Sequence, residues 1–406
     1  MREDKGQNRT VIEWLERAEP DRPFLVTEKQ TWTYAQSRIE VERRMADEPR
    51  VSTPSLDANS VFDLIAGMAG GGVMVLGPRI DPRKPSGAAA LVAFTSGTTG
   101  PPKGVRLTME NLTAAAEASA GHLGHGPDDT WLLAMPLHHV GGITILVRQA
   151  WTGGTVRLLP RFDPPSYATA LGGSTMASVV PTMLRRLVGH GPFDGLKAVL
   201  VGGGPIPDGL LEAAAATGLP VLPTYGMTET FGQVATLRPG SRLERKAHPL
   251  PGVDLRIEST GRIAVRGRQV SPGYLDEPDR EDPWLETNDL GTLDDDGALR
   301  VIGRADSVIV TGGENVNPEH VESVVSQHPD VSGVIVVGVF DDEWGELVAC
   351  VYTGAVKESD LVAWVTERLP GFMVPRRWLV VEDMPRTPMG KPDRVAALAL
   401  CLDADG

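Results

Sequence analysis

Between residues 60 and 235, short apolar runs alternate with stretches whose apolar positions recur at helical spacing. The runs at 91–94, 131–135, 156–159, 177–180, 198–201 and 221–222 are short and β-prone, and they read as buried strands. The stretches at 110–120, 143–151, 182–188 and 209–216 read as helices. Alternation of this kind predicts a parallel sheet flanked by helices, in which ligands bind where strands end and loops begin. From 250 to 303 the pattern becomes short strands (253–257, 261–265, 298–302) separated by turn residues, so this section is mainly β. Beyond Asp306 come a strand at 308–310, a helix from Glu319, strands at 334–339 and 348–352, a helix at 359–369 and a strand near 378–381. In that second helix Leu361, Val365 and Leu369 make one stripe at i+4 spacing. The expected fold is therefore α/β. Residues 1–305 form a large N-terminal domain of doubly wound sheets plus a small β section, and 306–406 form a smaller α+β C-terminal domain.

Composition narrows the setting. A chain of 406 residues exceeds one ordinary core, which agrees with two domains. The formal charge of −14 argues against nucleic acid or an anionic membrane as main partner, and any phosphate site must be built locally against that field. Cys350 and Cys401, the two cysteines, have no metal-ligand spacing and make no disulfide framework. The charged N-terminus lacks the apolar core of a signal peptide, and no apolar run approaches the ~20 residues of a membrane span. These features suit a cytoplasmic enzyme.

The segment TSGTTGPPKG (95–104) follows the apolar run 91–94, so it is expected to be a loop leaving a buried strand. Glycines allow backbone N–H groups to approach an anion, hydroxyls donate further hydrogen bonds, and Lys103 adds a point charge. That combination is a polyphosphate cradle. It is not the common nucleotide P-loop, because Gly104 follows the lysine where that motif has Ser or Thr, and Pro101 and Pro102 forbid a helix there. Four further segments carry weaker signals. TYGMTE (224–229) places an aromatic, hydroxyls and a carboxylate after a strand, and reads equally as a capped turn. VGGGP (201–205) allows close approach to a flat ligand, or is merely a turn. Asp289 with GRAD (303–306) could bracket a ribose diol, or form a surface ion pair. PMGK, ending at Lys391, by itself reads as carrying an ordinary solvated lysine.

In order and spacing, TSGTTGPPKG, PLHH, GGGP, TYGMTE, ND, GRAD, GGEN and PMGK resemble the adenylate-forming superfamily of acyl- and aryl-CoA synthetases, luciferases and adenylation domains. The resemblance covers roughly residues 90–395. It implies that Thr95, Ser96, Gly97, Thr98, Thr99, Gly100 and Lys103 hold the β- and γ-phosphates of ATP. Gly203 and Gly204 would lie along adenine with Tyr225 stacked on it, and Thr228 would meet the α-phosphate. Glu229 would hold Mg²⁺, Asp289 and Arg304 the ribose. Lys391 would bridge the carboxylate and the α-phosphate while an acyl-adenylate forms. Asp306 matches the hinge about which a mobile C-terminal domain turns between half-reactions, and Gly312 and Gly313 would then approach the pantetheine of CoA. The chain departs from the pattern in three places. Only 94 residues precede the phosphate loop, although Trp32 and Tyr34 match an early element; the stretch from about 50 to 88 is trimmed; and Asn288 stands where a glycine is common. Contacts of a homodimer are the property that these departures bear on.

The acid is the finer question. Periodicity puts Ile143, Leu146, Val147 and Ala150 on one apolar stripe with Arg148 off it, which by itself describes a solvated arginine. The run HHVGG with a cation nine residues after the second histidine is similar to short o-succinylbenzoate–CoA ligases of menaquinone biosynthesis, as is VIVTGGENVNP. That resemblance implies a substrate with two carboxylates, one activated and one held by Arg148, with His139 against the ring near the reacting carboxylate. A general aryl or fatty acyl-CoA ligase, and a stand-alone adenylation enzyme loading a carrier protein, are the alternatives.

Overall fold

The computed structural model describes residues 10–45, 50–70, 73–76, 89–95, 102–204, 206, 208–243, 246–387 and 391–404. The expected strand–helix alternation builds a nine-stranded sheet. Its six inner strands are parallel, in the order Val221–Met227, Ala198–Val201, Met176–Val179, Thr130–Leu133, Thr155–Leu158 and Pro23–Val26. Antiparallel strands extend both edges. The inner strands bury both faces, as their continuous apolar sequence requires: Leu133 packs into one core and Leu132 into the core on the opposite side.

A second sheet joins Gly273–Tyr274, Gly104–Thr108, Ala89–Phe94, Met74–Leu76 and Arg50–Ser52. Sequence reading missed Gly104–Thr108 because Arg106 interrupts its apolar pattern; this arginine is nevertheless only 2% exposed. The strand runs antiparallel to Ala89–Phe94, so the two strands make a hairpin pair. Its ends are tied, with Thr95 N donating to Lys103 O over 2.9 Å and Lys103 N donating to Thr95 Oγ1 over 3.0 Å. The mainly β section is a four-stranded antiparallel sheet of Val253–Ile257, Arg262–Gly267, Leu285–Leu293 and Leu299–Arg304.

The smaller C-terminal domain is built on Ile309–Thr311, Glu314–Val316, Val331–Asp341, Gly345–Gly354 and Arg377–Val380, with its own apolar core. The helix Arg394–Asp403, unforeseen because it is Ala-rich with a weak stripe, packs on the strand Val331–Asp341. Arg394 fixes its start. Nη1 donates to Glu322 Oε1 over 2.6 Å and to Val336 O over 2.6 Å, and Nη2 donates to Glu319 Oε1 over 3.1 Å. Burial pushes the Glu322 carboxyl up while Arg394 pulls it down, so the carboxylate depends on its partner. Arg394→Met should cost about 3 kcal/mol, because it strands a buried carboxylate. A urea midpoint that stays unchanged would show the pair contributes nothing.

Candidate active site

The site lies where three sheets converge. The strand Val221–Met227 runs further than its apolar start suggests, through Tyr225, and is followed by the 3₁₀ turn Thr228–Thr230 that carries Glu229. The Tyr225 hydroxyl donates to Asp289 Oδ2 over 2.7 Å, and burial together with Asp289 raises its pKa, so it remains a neutral donor. Asp289 and Arg304 sit opposite each other in register across the strands Leu285–Leu293 and Leu299–Arg304. Arg304 Nη1 donates to Asp289 Oδ1 over 3.4 Å and grips Asp306 through two further bonds, Nε to Oδ1 at 2.8 Å and Nη2 to Oδ2 at 2.7 Å. The Asp306 bonds, more than Asp289, hold the guanidinium charged. The pair read from sequence is thus a chain of four groups: Tyr225, Asp289, Arg304 and Asp306.

Gly203 and Gly204 follow the neighbouring strand Ala198–Val201 and are exposed; Gly203 has φ 81°. Among the described residues, no atom beyond its chain neighbours would lie within 4 Å of a Cβ on Gly204. Gly202 packs on Thr224, so this turn and the strand bearing Tyr225 are held side by side.

Lys103 and Glu229 meet through a residue that sequence reading did not select. The Lys103 ammonium sits 4.8 Å from the centre of the Tyr274 ring, and the Tyr274 hydroxyl donates to Glu229 Oε1 over 2.9 Å. A lone Gly-Tyr pair in a turn-rich stretch gave no signal for this. Ser96, Gly97, Thr98, Thr99 and Gly100 lie outside the described residues, as do Pro205 of GGGP and residues 388–390 of PMGK. Among the described residues no cluster of three or more His, Cys, Asp or Glu side chains could hold a metal. A single carboxylate suits Mg²⁺, which keeps most of its octahedral shell for phosphate oxygens and water.

Lys391 reaches this site from the C-terminal domain. Burial, then the charge of Arg304, lowers its pKa, and Asp289 opposes that shift. Its segment is closed by Thr387 N donating to Lys391 O over 2.8 Å and by the Arg394 anchor three residues on. Gly312 and Gly313, with φ of 58° and 85°, form the two-residue turn between Ile309–Thr311 and Glu314–Val316. Trp344 covers the first of them, and the second is open.

On the acid side, His139 is the N-cap residue of the helix Val140–Thr152 and stacks on His138 with ring centres 4.4 Å apart. Burial, reinforced by His138 and Lys391, pushes its pKa down to about 4, so the ring is neutral at pH 7. The reading of Arg148 as solvated is corrected. Its side chain is 4% exposed, its guanidinium lies 5.1 Å from the Trp131 ring centre, and burial pulls its pKa down to about 9. The periodic stripe failed as a guide because this helix is buried nearly all round between the nine-stranded sheet and the helices Val11–Arg17 and Met109–Leu123. Among the described residues, Arg148 pairs with no carboxylate. Nearby, Gly232 has φ 98°, and a Cβ there would stand 3.2 Å from Thr144 Cγ2 and 3.7 Å from Arg148 Nη2.

Comparison with known proteins gives the family. The AMP-binding enzyme family matches residues 46–275, and the AMP-binding enzyme C-terminal domain matches 320–391. A 2-succinylbenzoate–CoA ligase of Bacillus cereus is 39% identical over 323 residues, 73% of this chain and 67% of its own length. The o-succinylbenzoate CoA synthetase of Bacillus subtilis, solved with its acyl-adenylate intermediate, superposes with a TM-score of 0.86 at 28% identity over 96% of this chain and 97% of its own. The same enzyme solved with ATP and magnesium ion also gives 0.86 at 28%, over 95% and 98%. ATP-bound MatB of Rhodopseudomonas palustris matches at 0.86 and 23% identity over 98% and 99%, a likeness of fold. With both parts of the family matched, the chain belongs to the AMP-binding enzymes.

Proposed function

We propose that this enzyme is an ATP-dependent 2-succinylbenzoate–CoA ligase. It activates the acid as acyl-AMP with release of pyrophosphate, then passes the acyl group to CoA with release of AMP. The observation that carries the choice of acid is Arg148, a buried cation with no carboxylate partner among the described residues, which lies against Trp131 from the helix that begins after His139. A desolvated, unpaired charge is expensive, and a second substrate carboxylate would offset that cost. The 39% identity to enzymes of that name supports the same reading. A mono-acid leaves the cation unmatched, which disfavours the general acyl-CoA ligase. A screen of pyrophosphate release across mono- and dicarboxylic acids, with and without CoA, tests this. Preference for a mono-acid would overturn the assignment of the acid, and turnover without CoA onto a carrier protein would overturn the acceptor.

The site supports the following roles as part of this proposal. Tyr225 orients Asp289, which with Arg304 would take the ribose. Thr95, Lys103 and Thr228 would face the phosphates, with Ser96, Gly97, Thr98, Thr99 and Gly100 completing the loop. Glu229 would hold Mg²⁺, which offsets phosphate charge when bound. Neutral His139 would pack against the ring. Gly312 and Gly313 would border the pantetheine once the C-terminal domain has turned. A cytoplasmic homodimer fits this reading; no helix among the described residues is long and apolar enough to cross a membrane.

Asp306, in the turn Ala305–Ser307, would be the pivot of that rotation. Asp306→Pro should stall one half-reaction about 10²-fold by fixing φ at the pivot. Asp306→Ala removes the side-chain bonds, those to Arg304 and Asn288 among them, without fixing φ, and should slow both half-reactions modestly. Equal effects of the two substitutions on both half-reactions would reduce Asp306 to an anchor for Arg304.

A further inference from the structure

Arg280 is a cation beside this site that none of these roles employs. It ends a loop that begins at Tyr274, and that loop is mounted rigidly. The buried Arg106 donates from Nε to Tyr274 O over 3.0 Å and from Nη2 to Glu277 O over 3.1 Å, and its Nη1 pairs with Asp279 Oδ1 at 2.7 Å. Leu275 N donates to Gly104 O over 2.6 Å, and Arg280 N closes the loop onto Pro272 O over 2.7 Å. Arg280 is therefore fixed to the same strand, Gly104–Thr108, into which Lys103 leads.

Its guanidinium is poised but uncommitted. Nη1 is buried and has no hydrogen-bond partner among the described residues. Neither Glu229 nor Asp282 forms an ion pair with it, although Tyr274, Glu229 and Asp282 all act on it electrostatically. Lys103 on the Tyr274 ring, Tyr274 on Glu229 and Arg280 near both make one cluster, and its spare hydrogen-bonding capacity is that of an anion site.

We propose that Arg280 binds the pyrophosphate leaving group. The inference rests on the adenylate-forming reading. When the substrate carboxylate oxygen bonds to the α-phosphorus, the bond from that phosphorus to the bridging oxygen breaks, and its electron pair leaves on pyrophosphate. Charge thus grows on the side of Glu229 and Lys103, away from Lys391. A planar guanidinium fork matches two oxygens of a phosphate, which a single ammonium cannot do. In a chain of net charge −14 such a cation has to be built into the site itself.

The test is ATP–pyrophosphate exchange by the full-length enzyme with 2-succinylbenzoate, comparing wild type with Arg280→Gln and Arg280→Lys. Arg280→Gln should raise KM for pyrophosphate about 10- to 100-fold, and Arg280→Lys should recover part of that loss. Thioester formation from supplied acyl-AMP and CoA should stay within about twofold, because pyrophosphate takes no part in it. Magnesium pyrophosphate should raise the melting temperature of wild type and not of Arg280→Gln. An unchanged KM for pyrophosphate, or an equal loss in thioester formation, would overturn the proposal. If Arg280→Gln does not fold, Arg280→Lys carries the same comparison. Wild type that exchanges with another acid but not with 2-succinylbenzoate refutes the acid, and the Arg280 comparison is then made with the acid that works.

Discussion

Lys391→Ala is expected to lower acyl-adenylate formation by about 10³-fold while leaving thioester formation from supplied acyl-AMP within a few-fold of wild type. The reasoning is electrostatic. A carboxylate attacking a triphosphate meets like charge, and a cation between the two neutralises both only in the transition state of that first step. Lys391 is half-buried and feels Arg304 and Asp289, and its charge is felt at His139, so it stands between the ribose pair and the acid side. In the second step a thiol attacks a mixed anhydride after pyrophosphate has left, and the same ammonium has no comparable task. Measuring pyrophosphate exchange and thioester formation separately decides the matter; equal loss in both would remove Lys391 from this role. The pH dependence has a definite sign. Adenylation needs the protonated amine, so it should fall as pH rises. Because burial and Arg304 depress the pKa, that fall should begin below the usual lysine range.

Arg148→Met is expected to reduce kcat/KM for 2-succinylbenzoate by about 10²- to 10³-fold, and to change turnover of benzoate-type mono-acids only slightly. A desolvated, hydrogen-bonded charge pair loses about 2–5 kcal/mol when one partner is truncated, and the expected loss corresponds to about 3–4 kcal/mol of it. A structural alternative makes a different forecast. If Arg148 merely braced Trp131, its loss would lower stability and impair every acid alike. If it awaits a carboxylate, the free enzyme already bears the cost of burying it, and Arg148→Met should leave the melting temperature unchanged or raise it. Lower stability together with uniform loss across acids would end its role in specificity.

How much could be read beforehand follows the kind of signal involved. Strands 198–201 and 253–257 match the structure to the residue, because continuous or alternating apolar runs bounded by turn residues have few other solutions. The strand Gly104–Thr108 and the helix Arg394–Asp403 escaped notice, the first because a buried arginine breaks its pattern and the second because alanines blur its stripe. In the site, Lys103, Tyr225, Glu229, Asp289, Arg304 and Lys391 stood out through local motif chemistry. Tyr274, Arg280 and Trp131 did not, because their importance comes from neighbours distant in sequence.

By itself the sequence determined the layered α/β architecture, the family, and the chemistry of activation through an adenylate. Each depends on local order: apolar period, turn residues, and motifs carried on single loops. Tertiary structure alone decided that Arg148 is buried with no carboxylate partner among the described residues, that Asp306 grips Arg304, and that a loop pinned by Arg106 carries Arg280, which feels the charge of Glu229. Desolvation and partner choice are sums over all surrounding segments, and no window of the chain contains them.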